Sequence, residues 1–299
     1  MKTIAFSNNQ TMPVLGYGTW RLSADDAASL TEKALVEGYR HIDCAMIYGN
    51  EKEVGSGIAN AISGGVVMRE DLFVTSKLWN TDHATADVVA ACKKTLNDLQ
   101  LEYLDLYLVH WGVGFEQGKD AEPLDENGLA KFSFVPMQQT WQAMERLVAE
   151  GLVKSIGVAN FTAPMLVDLL SYAKIKPVMN QIELHPYHAQ RDLINFCSSQ
   201  GIAVTAYSPF GSAGAPLLHD DTIKEIATTH GCTPAQVVLS WAIQRGAAVI
   251  PKSSSSERIK ENIDVERVAL SDAEMQKIAA LDKRKIFVNP QDWWGFPYF

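Results

Sequence analysis

Gly55-Ser56-Gly57-Ile58-Ala59-Asn60 is the nearest approach in this sequence to the G-x-G-x-x-G/A turn that cradles a dinucleotide phosphate, and its reading decides the fold. Such a turn must join a strand to a helix. This hexapeptide instead lies inside an amphipathic pattern over residues 51–63 and ends in Asn, so a doubly wound phosphate-binding sheet is poorly supported. Working outward, short runs rich in apolar residues recur at 14–17, 40–43, 72–77, 104–110, 153–160, 178–183, 202–207 and 247–251. Several are apolar on consecutive positions, as strands buried on both faces are. Helical patterns lie between them at 25–38, 51–63, 85–99, 137–151, 164–173, 191–200 and 234–245. Three of these run into glycine, at Gly38, Gly151 and Gly201, where a left-handed cap is expected. Eight strands alternating with helices predict an α/β fold, a parallel (β/α)8 barrel built as a single domain over residues 1–299.

Length and composition bound the alternatives. At 299 residues, with 47% hydrophobic and 20% charged residues, the chain can bury a large core, which excludes disordered and fibrous classes. A net charge of −9 argues against a broad cationic face for nucleic acid or an anionic membrane, so any phosphate site must be built from a few placed Lys or Arg. The four cysteines, Cys44, Cys92, Cys197 and Cys232, are widely spaced, which reads as reduced thiols rather than a disulfide or zinc framework. The first residues lack a secretory apolar region, and the longest uncharged stretch, 202–219, is interrupted by two Pro and two Gly. A cytoplasmic protein that uses neither membrane nor nucleic acid is the expectation.

Two segments break the alternation. Residues 112–135, rich in Gly and charge, form a long excursion after the fourth strand, a length characteristic of functional lids or disordered segments. The tail ends Asp292-Trp293-Trp294-Gly295-Phe296-Pro297-Tyr298-Phe299, and its aromatic crowding predicts a terminus tied down over an apolar surface at the barrel mouth.

In a (β/α)8 barrel catalytic groups sit at the C-terminal ends of the strands. Here those ends carry Asp43 with Tyr48 just beyond, Lys77, His110, Asn160, Gln181 with Glu183, Tyr207 with Ser208, and Lys252. A polar residue can simply end a strand and meet solvent. Asp, Lys, His and Lys on four strands, with a Tyr nearby, form a set that can share proton transfer. A phenol has an ordinary pKa of about 10, and a neighbouring ammonium is expected to lower it toward working range. An Asp beside that Lys would keep the ammonium charged and positioned, and a His donor could polarise a carbonyl oxygen. This chemistry protonates an oxygen while hydride arrives at carbon. The set lacks the nucleophile–base pair of a hydrolase.

The order of these segments resembles the aldo-keto reductase superfamily. The resemblance rests on Gly16-Tyr17-Gly18-Thr19-Trp20, Gly38-Tyr39-Arg40-His41-Ile42-Asp43 with Tyr48-Gly49-Asn50-Glu51, Leu72-Phe73-Val74-Thr75-Ser76-Lys77-Leu78-Trp79, Leu104-Asp105-Leu106-Tyr107-Leu108-Val109-His110-Trp111, Ser155-Ile156-Gly157-Val158-Ala159-Asn160-Phe161 and Ile250-Pro251-Lys252-Ser253. It is most similar in flavour to aldose, xylose and aldose-phosphate reductases. The resemblance implies NADPH-dependent reduction of aldehydes, aldoses or related small carbonyl compounds, with NADH as a weaker cofactor. It implies a catalytic tetrad of Asp43, Tyr48, Lys77 and His110, with Tyr48 as general acid. By the same likeness Tyr207 would stack on nicotinamide, Asn160 and Gln181 would hold its carboxamide, and Thr19, Trp20 and Asp43 would face it. Ser208, Phe210 and Ser212 would cover the pyrophosphate. Trp20, Ile47, Tyr48, Trp79, His110, Trp111 and Trp293 (or its neighbour Trp294) would form the substrate wall. Metal is not implied, and His185-Pro186-Tyr187-His188 reads as structural.

The segment Lys252-Ser253-Ser254-Ser255-Ser256-Glu257-Arg258 has two readings from the residues alone: a solvated helix cap, or hydroxyl and backbone donors at a helix start flanked by two cations, which suits a phosphate. The resemblance selects the second. It gives Lys252, Ser253 and Arg258 to the 2′-phosphate and Glu261 and Asn262 to adenine. Two positions depart from the family pattern: Ala159 stands where Ser is usual, and Gly295 where xylose reductases place a sugar-contacting Asn. A different class on the same fold, a low-turnover NADPH-binding redox-sensing or structural protein, is the alternative.

Overall fold

The computed structural model describes residues 2–212 and 214–299. Eight parallel strands form one sheet: Tyr17–Gly18, His41–Asp43, Phe73–Leu78, Leu106–Val109, Ile156–Ala159, Met179–Glu183, Ala203–Tyr207 and Ala247–Val249, each hydrogen-bonded to the next in chain order. The sheet closes on itself. Leu15 bridges Val249 in parallel, and Gly16 and Gly18 donate backbone bonds to Val249 and Pro251 at 2.8 and 3.1 Å. This is a single-domain (β/α)8 barrel, as expected.

All eight expected strands are present, and closure without an edge buries them on both faces. Helices α1 (Ala24–Val36), α2 (Glu51–Ser63), α3 (Thr85–Leu99), α4 (Met137–Ala149), α5 (Ala163–Tyr172), α6 (Arg191–Ser199), α7 (Asp221–His230) and α8 (Pro234–Gln244) cover the outside. The glycines of the Gly55–Asn60 stretch serve packing. A Cβ on Gly55 would lie 2.5 Å from the Asp98 carbonyl oxygen of α3, and one on Gly57 would lie 2.4 Å from that of Ala28 in α1. They let α2 approach both neighbours through backbone contact.

The barrel floor is plugged. Phe6 and Met12, carried by a hairpin pairing Thr3–Ala5 with Thr11–Pro13, join Phe73, Leu106, Leu108, Met179 and Ala248 in an apolar interior. Ala159 belongs to this plug and is 1% exposed, which puts the usual Ser position in apolar packing rather than on the open cavity wall. With the lower end of the barrel filled, its interior opens to a cleft at the mouth, where the strands' C-terminal ends lie.

The mouth is framed by ordered chain. Residues 112–135 fold into a hairpin (Gly114–Phe115 with Phe132–Ser133), with Leu124 bridging Ala130. The tail packs on it through α11 (Pro290–Trp294), the last of the helices after α9 (Ser256–Ile263) and α10 (Asp272–Ala279). Ala130 donates to the Trp294 carbonyl at 2.9 Å, Trp294 Nε1 to Glu122 Oε1 at 2.8 Å, and Gly112 N to the Tyr298 hydroxyl at 2.8 Å. Glu183, at the end of the sixth strand, accepts from His185 and from the backbone of Phe287 and Val288 at 2.8–2.9 Å, which pins the tail's root. Tail and loop therefore form one aromatic roof over Trp79 and Trp111. No helix among the described residues is long and apolar enough to cross a membrane.

Candidate active site

The second strand ends at Asp43, and a short turn, Met46–Tyr48, brings Tyr48 back over the barrel axis. Asn50 holds that turn, its Nδ2 donating to the carbonyls of Thr19 and Leu22 at 2.9 and 3.1 Å, which ties the first two βα loops together. Behind it Glu51 accepts from Ser76 at 2.5 Å and Thr95 at 3.0 Å, which fixes the start of α2 against the strand carrying Lys77.

Lys77 is fully buried, and its Nζ meets three acceptors: Asp43 Oδ1 at 2.6 Å, the Cys44 carbonyl at 2.8 Å and the Tyr48 hydroxyl at 3.2 Å. An ammonium has three protons, and each is used. Asp43 accepts a further bond on Oδ2 from Gln181 at 2.8 Å. His110 follows the fourth strand, its ring 6.0 Å from that of Tyr48 and 5.0 Å from that of Trp79. The tetrad is thus assembled.

Burial alone would discharge Lys77, but Asp43 and Tyr48 reverse this and hold the ammonium well above its ordinary range. Burial, reinforced by Lys77, pushes His110 far below its usual value, so its imidazole is neutral. For Tyr48 the sequence expectation needs correcting. Burial is the larger effect and pushes the phenol up to about 12, with Lys77 only opposing the rise. Tyr48 therefore carries its proton throughout the physiological range.

A cavity of about 1220 Å³ opens above these groups. It exceeds the ~300–1,000 Å³ usual for one small ligand, leaving room for a dinucleotide and a substrate together. All seven expected substrate-wall residues line it, as do Asp43, Asn160, Gln181, Tyr207, Ser208, Phe210, Ser212, Lys252, Ser253, Arg258, Glu261 and Asn262. Thr19 does not. It is wholly buried, and its hydroxyl donates to the Asp43 carbonyl at 2.8 Å, so it positions the second strand instead of facing the cavity. Trp294, the second of the tail tryptophans, lines the wall as well, buried, whereas Trp293 is 40% exposed at the rim.

Asn160, Ser208, Ser212 and Ala215 line the cavity with φ of +63°, +47°, +61° and +42°. Such strain in non-glycine residues concentrates at ligand sites. Asn160 is held from two sides: it donates to the His110 carbonyl at 3.0 Å and accepts from the Tyr207 hydroxyl at 2.6 Å.

Two wall residues carry no signal in sequence beyond position. Arg21 stacks on the Trp20 ring at 4.2 Å. Glu122 comes from the long loop. Arg21, Lys252 and Arg258 converge on the side of the first and last strands, and among the described residues none has a carboxylate at ion-pair distance. Burial, then the charges of Arg21 and Arg258, lowers Lys252. Unneutralised cations beside the Ser255-capped start of α9 are what a phosphate-bearing cofactor requires.

The family model of the aldo/keto reductases matches residues 14–283. The chain belongs to the aldo/keto reductase family. It is 46% identical to aldo/keto reductase slr0942 of Synechocystis over 99% of this chain and 93% of that protein. It is also 46% identical to aldose reductase B of Dictyostelium discoideum, over 96% of this chain and 94% of the other. The solved aldose reductase of Schistosoma japonicum superposes with a TM-score of 0.95 at 41% identity, covering 99% of this chain and 97% of that one. As a member of this family the chain is an NAD(P)H-dependent oxidoreductase that reduces carbonyl groups.

Proposed function

We propose that the protein reduces aldehydes, aldoses or related small carbonyl compounds with NADPH, using Tyr48 as the proton donor. The observation that carries this reading is the chain Asp43–Lys77–Tyr48, closed by bonds of 2.6 and 3.2 Å at the foot of the cavity with His110 alongside. When bound, NADPH supplies a hydride to the carbonyl carbon. Tyr48 donates its proton to the carbonyl oxygen, so the product is an alcohol. Lys77 stabilises the phenolate left behind, and Asp43 with the Cys44 carbonyl keeps that ammonium charged and aimed. His110, neutral and therefore bearing one N–H, holds the substrate oxygen in line. The aromatic walls exclude water, which strengthens each of these interactions.

Residues 1–299 act as one catalytic domain in this reading. Asn160, Gln181 and Tyr207 bind the nicotinamide end; Ser208, Phe210 and Ser212 cover the pyrophosphate. Lys252, Ser253 and Arg258 take the 2′-phosphate, with Glu261 and Asn262 at adenine. Convergence of Lys252 and Arg258 beside the Ser255 cap supports NADPH over NADH. Gly295 ends α11 at φ +71°, and a Cβ there would lie 2.8 Å from the Gly128 carbonyl oxygen. With no side chain at 295 to contact a sugar, and a loop carbonyl oxygen packed where a Cβ would stand, xylose is disfavoured as the preferred substrate. The four free cysteines fit a reducing compartment, the cytosol.

A panel of carbonyl compounds (aldoses, aldose phosphates, aromatic and short aldehydes, ketones) assayed with NADPH and NADH separately tests the reading. Carbonyl-dependent oxidation of NADPH, faster than that of NADH, is expected. Tight NADPH binding with no turnover of any member would favour the low-turnover alternative.

A further inference from the structure

Resting on the reading above, we propose that Glu122 sets the charge specificity of the substrate end, disfavouring anionic carbonyl substrates and favouring neutral or cationic ones. Glu122 belongs to the excursion after the fourth strand and lines the cavity beside Trp79, Trp111 and Trp294. It is held there. Its Oε1 accepts from Trp294 Nε1 at 2.8 Å, and the residue before it, Ala121, accepts on its carbonyl from Trp79 Nε1 at 2.6 Å. Two tryptophans of the substrate wall thus fix the loop that carries this carboxylate.

Topology separates Glu122 from every lysine and arginine of the wall. Arg21, Lys252 and Arg258 follow the first and eighth strands, which adjoin each other where the barrel closes. The fourth strand lies across the ring, four strands from the eighth in either direction. Among the described residues no Lys, Arg or His lies within ion-pair reach of Glu122. Residues 112–135 contribute five acidic and two basic side chains, and the tail from 288 adds only Asp292, so the frame of the mouth has no cationic surplus to offset it. His110, the basic residue lining this end, is neutral, and the buried Lys77 ammonium beneath it is already paired with Asp43 at 2.6 Å.

With cofactor phosphates against the far cations and Asp43 paired to Lys77, the Glu122 carboxylate would be the unpaired charge that an incoming substrate meets. Two unit charges about 6 Å apart in a half-solvated cleft of effective dielectric about 40 interact by a factor of about ten in binding. Aldose phosphates and sugar acids would bear that penalty; free aldoses and uncharged aromatic aldehydes would not. A positively charged aldehyde would gain.

Three aldehydes of one shape test this: 4-carboxybenzaldehyde, 4-(hydroxymethyl)benzaldehyde and 4-(trimethylammonio)benzaldehyde, each assayed for kcat/KM with saturating NADPH. In the E122Q variant the side-chain carbonyl can still accept from Trp294, so the roof is kept and only the charge is lost. The ratio of kcat/KM for the carboxylate probe to that for the neutral probe is expected to rise about tenfold in E122Q and further in E122K, and the cationic-to-neutral ratio to fall. Raising the ionic strength should narrow the wild-type discrimination. A purely structural role for Glu122 would change all three rates together and leave the ratios in place, which overturns the proposal while the carbonyl-reductase reading stands. Failure of the wild type to reduce any of the three, or any carbonyl of the wider panel, would overturn that reading and this proposal with it.

Discussion

Replacing Lys77 by Met separates what the buried ammonium does for the fold from what it does for chemistry. Its side chain is 0% exposed and that of its partner Asp43 2% exposed, so the substitution strands a carboxylate that retains only the Gln181 amide, at 2.8 Å on Oδ2. Breaking a buried pair from one side costs about 3–5 kcal/mol. Spread over the unfolding entropy of a chain this long, that is a fall of about 5–10 °C in the thermal midpoint. The double variant Asp43→Asn/Lys77→Met removes both charges and keeps an amide oxygen for Gln181. It should recover at least half of the loss, leaving mainly the orphaned Cys44 carbonyl. Tyr48→Phe is the contrasting case, because Lys77 keeps Asp43 and Cys44 as acceptors; its cost is about 1 kcal/mol. Differential scanning calorimetry of the wild type and these variants reads the series. A Lys77→Met midpoint within about 2 °C of wild type, or a double variant no better than the single, would refute the reasoning.

Three further outcomes are expected. Arg258→Ala should weaken NADPH binding about 10–100-fold, the loss of one charge-assisted contact to phosphate, while NADH binding changes less than twofold; nucleotide fluorescence titration reads both. Gly295→Asn should drive a Cβ against the Gly128 carbonyl, 2.8 Å away, at about 1–3 kcal/mol, raising KM and red-shifting tryptophan emission as Trp294 loosens, and unchanged emission and KM would show that the contact is not restrictive. Burial holds His83 at about 4 in the folded protein, and both its ring nitrogens lack partners. Because the folded value lies below the ordinary 6.5, the unfolded chain binds more protons between these values, and stability is lost as pH falls from about 6.5 to 4, by at most about 3 kcal/mol. His83→Leu should flatten that part of the stability–pH profile measured by urea unfolding.

What could be read from sequence follows from how each feature is encoded. The eight strands were legible because a barrel strand is buried on both faces and appears as an apolar run, and the polar residues ending those runs marked Asp43, Lys77 and His110. Helices Asp221–His230 and Asp272–Ala279 were not read from sequence, and the second buries only Ile278, too little to show a helical period. The floor-plugging strands Thr3–Ala5 and Thr11–Pro13 are three residues each, too short to show a period. Arg21 and Glu122 lie on loops whose course no local pattern dictates. The family likeness puts Thr19 against the cofactor, yet its hydroxyl is spent on the Asp43 backbone. The Tyr48 phenol shows the limit most clearly. Sequence reveals that an ammonium is near it, but the balance between that charge and burial depends on depth, and burial wins.

The transfer step itself is the sharpest test of the Tyr48 assignment. With wild type and Tyr48→Phe loaded with NADPH and mixed rapidly with saturating aldehyde at pH 7, the single-turnover decay of reduced nicotinamide absorbance should slow by about 10²–10⁴-fold in the variant, with nucleotide affinity retained. Equal decay rates in the two proteins would contradict the account, since the phenol would then not be the group that delivers the proton.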